Sequence, residues 1–185
     1  MNDVPLLDVA ELSVQFRTRL GPVKALEQVD LSLDRGEIIA VVGESGSGKS
    51  VTAHSIMGIL DTAAHLTVGR IMFGGLDLLQ VSEAELANIR GRELAMILQN
   101  PRGALNPIRQ VERQIGDILR RHAPTPRADV KRRAIELLMQ VRIPDAERRY
   151  AAYPFELSRG MCQRYQRQDS FSGSRPRRAP GAPLS

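Results

Sequence analysis

At 185 residues the chain has room for one ordinary domain and not for two. Hydrophobic residues make up 42% and charged residues 25%, a globular balance that excludes collagen-like, low-complexity and disulfide-scaffold proteins. The formal net charge is +5, but residues 165–185 hold Arg167, Arg175, Arg177 and Arg178 against Asp169. That is +3 in the last segment and +2 in the rest, with aromatics at 4% and no tryptophan, so nucleic-acid binding is not expected.

Cys162 is the single cysteine and cannot form an internal disulfide. Met1-Asn2-Asp3 is polar and acidic where a secretory leader would be basic and then apolar. The longest apolar run, Ile38 to Val42, falls far short of the ~18 residues of a membrane span. The expectation is a soluble chain in a reducing compartment, held at a membrane only by a partner.

In chain order, Leu12, Val14 and Phe16 recur at period two, as do Val29, Leu31 and Leu33, and each set predicts a half-buried strand. Gly21-Pro22 between them signals a turn. Glu37-Ile38-Ile39-Ala40-Val41-Val42 is β-branched and apolar on both faces, which predicts a strand covered on both sides of a sheet. Gly43 stops it, and after Gly48 a helical pattern runs through Val51, Ile56, Ile59 and Leu60. Arg70-Ile71-Met72-Phe73 predicts a short strand closed by Gly74-Gly75. Ser82 with Glu85 three residues on reads as a capped helix start. Leu94 to Leu98 is a second run of strand length, ended by Gln99-Asn100-Pro101. Two helices are expected near 111–121 and 128–141, joined by Pro124-Thr125-Pro126. From Tyr165 onward serine, glycine, proline and arginine dominate, and disorder is expected over 165–185.

Gly43-Glu44-Ser45-Gly46-Ser47-Gly48-Lys49-Ser50 matches the phosphate-loop pattern. The chemistry asks for these types. Glycines let the backbone wrap close to phosphate oxygens and turn N–H groups inward. The following helix points its positive end at the same anion. Lys49 supplies a point charge toward the β and γ phosphates, and the Ser50 hydroxyl suits Mg²⁺. No Asn-Lys-x-Asp stretch is present to read guanine.

Residues 6–164 resemble the ATP-binding subunits of ABC transporters, within them the peptide and nickel importer group. Four pieces in order carry the resemblance. Leu12 to Phe16 is similar to the strand that ends in the family's A-loop aromatic. Val29 to Leu33, then Gly36-Glu37, resembles the lead-in to the P-loop. Leu98-Gln99-Asn100-Pro101, followed by Leu105-Asn106-Pro107, resembles the Q-loop. Tyr153-Pro154-Phe155-Glu156-Leu157-Ser158-Arg159-Gly160-Met161-Cys162-Gln163-Arg164 resembles the signature segment.

The resemblance implies an α/β, P-loop NTPase-like nucleotide-binding domain, incomplete, over residues 4–164. It implies an antiparallel β subdomain, with a helical subdomain and the signature in 100–164. ATP and Mg²⁺ are the implied cofactors. Phe16 would stack on adenine, Gln99 would touch Mg²⁺ and the attacking water, and Ser158 and Gly160 would reach the γ-phosphate held by a second ATP-binding subunit. Membrane subunits would be the other partners, placing the chain at the inner face of the cell membrane. The bland readings are a core aromatic for Phe16, a strand-end polar residue for Gln99 and a plain N-cap for Ser158.

Two departures stand out. Arg159 occupies the place of the family's first signature glycine. After Arg164 no apolar run ending in an acidic pair follows, and no switch histidine. The Mg²⁺-holding Asp and water-polarising Glu of the family are thus missing, no catalytic residue is assigned, and hydrolysis is expected to fail. A truncated or frame-shifted copy is the expectation. A non-enzymatic nucleotide-binding fragment or an inert pseudogene product is the alternative. His54, His65 and His122 share no ligand spacing.

Overall fold

The structure, a computed structural model, describes residues 4–122 and 125–171, the side chains of 167–171 excepted. The chain divides into two compact units, Met1–Leu86 and Ala87–Ser185.

The first unit is built on a four-stranded antiparallel sheet. Its strands are β1 (Leu7–Thr18), β2 (Gly21–Leu33), β3 (Ala64–Phe73) and β4 (Leu76–Asp77), in the order β2-β1-β3-β4. Leu7, Val9, Leu12 and Val14 are buried along β1, so the alternation shifts phase between Val9 and Leu12. A bulge accounts for the shift. Glu11 takes φ 51° and its N–H donates to Asp30 Oδ1 at 2.7 Å. Opposite, Gln28 takes φ 48° and its N–H donates to Ser13 Oγ at 3.0 Å. Gly69 on β3 closes the same spot with φ +127°. A Cβ there would lie 2.7 Å from Leu12 Cα, so only glycine fits.

Helix α1 (Lys49–Met57) follows the phosphate loop. It stops before the expected Leu60 because Gly58 turns left-handed at φ 62° and its N–H closes on Ser55 O at 3.0 Å. Helix α2 (Glu83–Ile89) starts as its sequence predicts. Glu85 Oε2 accepts from the Ser82 N–H at 2.9 Å and from the Ser82 hydroxyl at 2.7 Å.

The second unit is helical. Helix α3 (Val111–His122) buries Val111, Ile115 and Leu119 on one stripe, and α4 (Val130–Gln140) buries Val130, Ala134, Leu137 and Leu138. A short helix α5 (Ala146–Tyr150) and then α6 (Arg159–Phe171) complete the core with Ala146, Met161, Cys162 and Tyr165. Here the expected disorder from Tyr165 onward meets a different outcome. The helix runs on to Phe171, and Tyr165 is 1% exposed within the core. One large buried aromatic outweighs the polar composition around it. Residues 172–185 lie outside the described residues.

Two expected strands are not formed. Residues 37–42 join no ladder, and Ile38 and Val42 are 95% and 91% exposed. Residues 94–98 contribute only an isolated bridge from Leu94 to Arg90, with Ile97 exposed. A strand exists only where a neighbour completes its hydrogen bonds. Among the described residues every strand of the sheet has antiparallel neighbours, and neither run is one of them.

Candidate functional site

The phosphate loop lies in the first unit, between the unpaired run and α1. Gly46 and Gly48 both sit at φ +88°, a backbone setting that turns successive N–H groups to one side. Gly43 is packed so closely that a Cβ would fall 2.8 Å from Ser47 Oγ. Gly48 is tighter still: a Cβ would meet Leu26 Cδ2 at 2.5 Å and Ala25 O at 3.0 Å. The loop therefore rests on β2. Thr52 holds it from behind, its N–H donating to Gly48 O at 2.9 Å and its hydroxyl to the same oxygen at 3.2 Å.

Lys49 folds back into the loop. Its ammonium donates to Gly43 O at 2.6 Å, Glu44 O at 2.5 Å and Ser47 Oγ at 3.0 Å. None of these partners is a carboxylate, so the charge of Lys49 is held and not neutralised. Among the described residues the N–H groups of Gly46, Gly48, Lys49 and Ser50 have no protein acceptor, as expected at a helix start. A loop with orphan donors around a cation is built for an anion, and the residues present fit a phosphate chain. Ser50 is exposed at the first turn of α1, where its hydroxyl is open to a metal bound by that chain.

Phe16 is half-buried near the end of β1 and pairs with Val23. Two residues earlier Val14 pairs with Leu26, the side chain on which Gly48 rests. The β1–β2 ladder thus puts Phe16 two positions along from the support of the loop. The contact of Gly48 with Ala25 and Leu26 spans more than twenty residues of chain, and no local pattern announces it.

The remaining expected site residues lie in the second unit. Gln99 is exposed in a bend after the unpaired run. The following turn is clamped: Gln114 accepts from the Asn106 N–H at 3.0 Å and donates to Arg109 O at 2.8 Å. Ser158 caps α6, its Oγ accepting from the Met161 N–H at 3.3 Å, so the plain N-cap reading holds for that lone pair. The hydroxyl proton stays available. Ser158, Arg159 and Gly160 are exposed together at the helix start, and a Cβ on Gly160 would meet nothing within 4 Å. Just before them Tyr153 and Phe155 stack with centroids 5.5 Å apart, and Phe155 is exposed. Sequence reading passed over this pair, although Tyr153-Pro154-Phe155 was its signal.

Cys162 is buried, and burial pushes its thiol above the ordinary range. His122, at the end of α3, is held below its ordinary value by burial and then by Arg121 and Arg92. Among the described residues no group of three His, Cys, Asp or Glu could hold a metal, and no helix is long and apolar enough to cross a membrane.

A phosphate loop on an antiparallel subdomain, together with a helical unit opening at Ser158, defines a nucleotide-binding cassette. The ABC transporter family matches residues 26–167, and the chain belongs to that family. It is 44% identical over 160 residues to the oligopeptide transport ATP-binding protein OppD of Bacillus subtilis, covering 86% of this chain and 45% of the relative. It is 45% identical over 169 residues to the probable D,D-dipeptide transport ATP-binding protein DdpD of Escherichia coli, covering 91% of this chain and 52% of the relative. A peptidoglycan transport ATP-binding protein of Agrobacterium fabrum is 46% identical over 164 residues, 88% of this chain and 30% of its own length. The chain thus spans a third to a half of these relatives. Among solved structures, the dimeric cassette MJ0796 bound to ADP and Pi superposes with a TM-score of 0.75 at 20% identity, over 90% of this chain and 69% of that one. This likeness shows the fold.

Proposed function

We propose that the chain binds Mg-ATP through Gly43–Ser50 as the nucleotide-binding part of an ATP-binding subunit of a peptide importer. The observation that carries the reading is the loop itself: orphan N–H groups around Lys49, two glycines at φ +88° and a helix start behind them. Lys49 and the loop N–H groups hold the phosphates, and Ser50 ligates Mg²⁺. Phe16 stacks on adenine, and Gln99 completes the metal shell. Mg²⁺ neutralises phosphate charge when bound. Ser158 and Gly160 offer a hydroxyl and an N–H to the γ-phosphate on a second ATP-binding subunit, and their joint exposure at the start of α6 supports that role. The transport names of its relatives support peptides as the cargo of the parent system, with nickel the other cargo of the group the sequence resembles. They also support membrane subunits as partners, with this chain peripheral to the inner face of the membrane.

Calorimetry of Mg-ATP on the purified chain tests the binding reading, with Lys49→Ala as control. Saturable heat that the substitution abolishes is expected, and equal heats from both proteins would overturn the reading.

A further inference from the structure

We propose that the pocket between the end of α2 and the last turn of α3 is a phosphate-binding site held by Arg92, Arg121 and His122. Its ligand is a phosphate group, carried by a lipid headgroup or by a soluble phosphate. The site lies in the second unit and does not rest on the nucleotide reading of the first.

The small net charge of the chain hides a division. Residues 4–86 hold six Lys and Arg against eleven Asp and Glu, a net −5, and residues 87–166 hold sixteen against eight, a net +8. The carboxylates that pair in the helical unit serve other arginines. Asp117 takes Arg109 and Arg120, Asp129 takes Arg132, and Glu136 takes Arg132 and Arg133. Arg92 and Arg121 have no carboxylate partner among the described residues.

The fold gathers these cations from two elements. The turn after α2 is closed by the Gly91 N–H, which donates to Leu94 O at 2.7 Å, and by the Glu93 N–H, which donates to Ile89 O at 2.9 Å. Gly91, at φ +83°, lies so close to the end of α3 that a Cβ would fall 2.8 Å from His122 Nε2. The turn is thereby seated on the imidazole, with Arg90 and Arg92 flanking Gly91 in the chain. The result is an open pocket of about 370 Å³ lined by Ala87, Arg90, Gly91, Ile118, Arg121 and His122, with no carboxylate among these residues. His122 registers the field, since burial and then the charges of Arg121 and Arg92 hold its imidazole below the ordinary value. The dipole of α3 accounts for cations in its own last turn, Arg121 and His122. It does not account for Arg90 and Arg92, which a different element brings to the same place. Like charges gathered without a counter-charge repel, and a bound anion relieves the repulsion. Guanidinium forks match phosphate oxygens in particular.

The test follows the His122 ring proton by NMR in the full chain, assigned by its loss in His122→Gln. The probes are inorganic phosphate and vesicles of phosphatidylglycerol or of phosphatidylcholine. We expect phosphate to raise the His122 titration midpoint by at least about 0.5 pH unit beyond chloride at equal ionic strength, because an added negative charge favours the imidazolium. The double variant Arg92→Gln with Arg121→Gln, both at exposed positions, should not lower the melting temperature and should weaken phosphate binding at least about tenfold. Sedimentation with phosphatidylglycerol vesicles, absent with phosphatidylcholine and lost in the double variant, identifies a lipid headgroup as the source. A phosphate response without sedimentation identifies a soluble one. The proposal is overturned when His122 responds to phosphate no more than to chloride and no arginine-dependent sedimentation occurs. It is equally overturned by a response that the double variant keeps. His54 lies on α1, next to the phosphate loop, so its ring proton reports that loop separately.

Discussion

Gly46 and Gly48 have the same backbone angle, φ +88°, and opposite surroundings. A Cβ on Gly46 meets nothing within 4 Å, whereas a Cβ on Gly48 meets Leu26 Cδ2 at 2.5 Å and Ala25 O at 3.0 Å. Alanine at either position carries the left-handed cost of about 1–2 kcal/mol. At Gly46 an exposed loop can relax part of that. At Gly48 Leu26 must move as well. Leu26 is 5% exposed, lies in the β1–β2 core and pairs with Val14. Forcing a methyl into such packing adds about 1–3 kcal/mol. For a unit of this size each kcal/mol lowers the melting temperature by about 4–8 °C, so Gly48→Ala should melt at least about 4 °C below Gly46→Ala. Differential scanning calorimetry of the two variants reads the difference directly. Titration with Mg-ATP should show both weakened, Gly48→Ala by about tenfold or more beyond Gly46→Ala. Equal melting temperatures, or a milder effect at Gly48, would refute the claim that the loop is seated on β2.

Tyr165→Ala should destabilise the helical unit by about 3–5 kcal/mol, read by chemical denaturation, because a fully buried aromatic is lost from the core. An effect within 0.5 kcal/mol, the usual range of a surface position, would return residue 165 to the tail. Cys162 should react with a thiol reagent only on unfolding, since the sulfur is buried and its thiol is pushed up by burial. Fast labelling of the native chain would contradict the placement of α6. Asp117 accepts from Arg109, the chief cause of its lowered value, and from Arg120. Its ion pairs therefore stabilise the chain above the ordinary aspartate range and lose effect as pH falls through the depressed value. Asp117→Asn should lower stability at neutral pH by less than about 1 kcal/mol, given its exposure, and the gap should close in acid.

How far the sequence could be read depends on where each element finds its partners. Helices α3 and α4 were legible because Val111, Ile115 and Leu119, and Val130, Ala134 and Leu137, mark their own buried stripes. The cap of α2 was legible because Ser82 and Glu85 satisfy each other within one turn. The phosphate loop was legible as a pattern, but its seat on Leu26 was not, since that contact crosses from one element to another. The bulge at Glu11 escaped for the same reason: its causes, Asp30 and Gly69, lie on two other strands.

The runs at 37–42 and 94–98 show the opposite failure, because composition announced strands that the described residues do not form. A helix hydrogen-bonds to itself, so its residues suffice to define it. A strand is a property of two chains side by side, and its residues state only a readiness to pair. The exposed Ile38 and Val42 are that readiness left unanswered. The second half of the phosphate loop, Gly46 to Ser50, is fixed through β2 and α1, while its first half is tethered through Gly43, the Lys49 ammonium and the Ser47 N–H, which donates to Glu44 O at 3.2 Å. Mg-ATP affinity, read by calorimetry, should therefore fall further on disturbing Gly43 or Lys49 than on substitutions in α1 beyond Ser50.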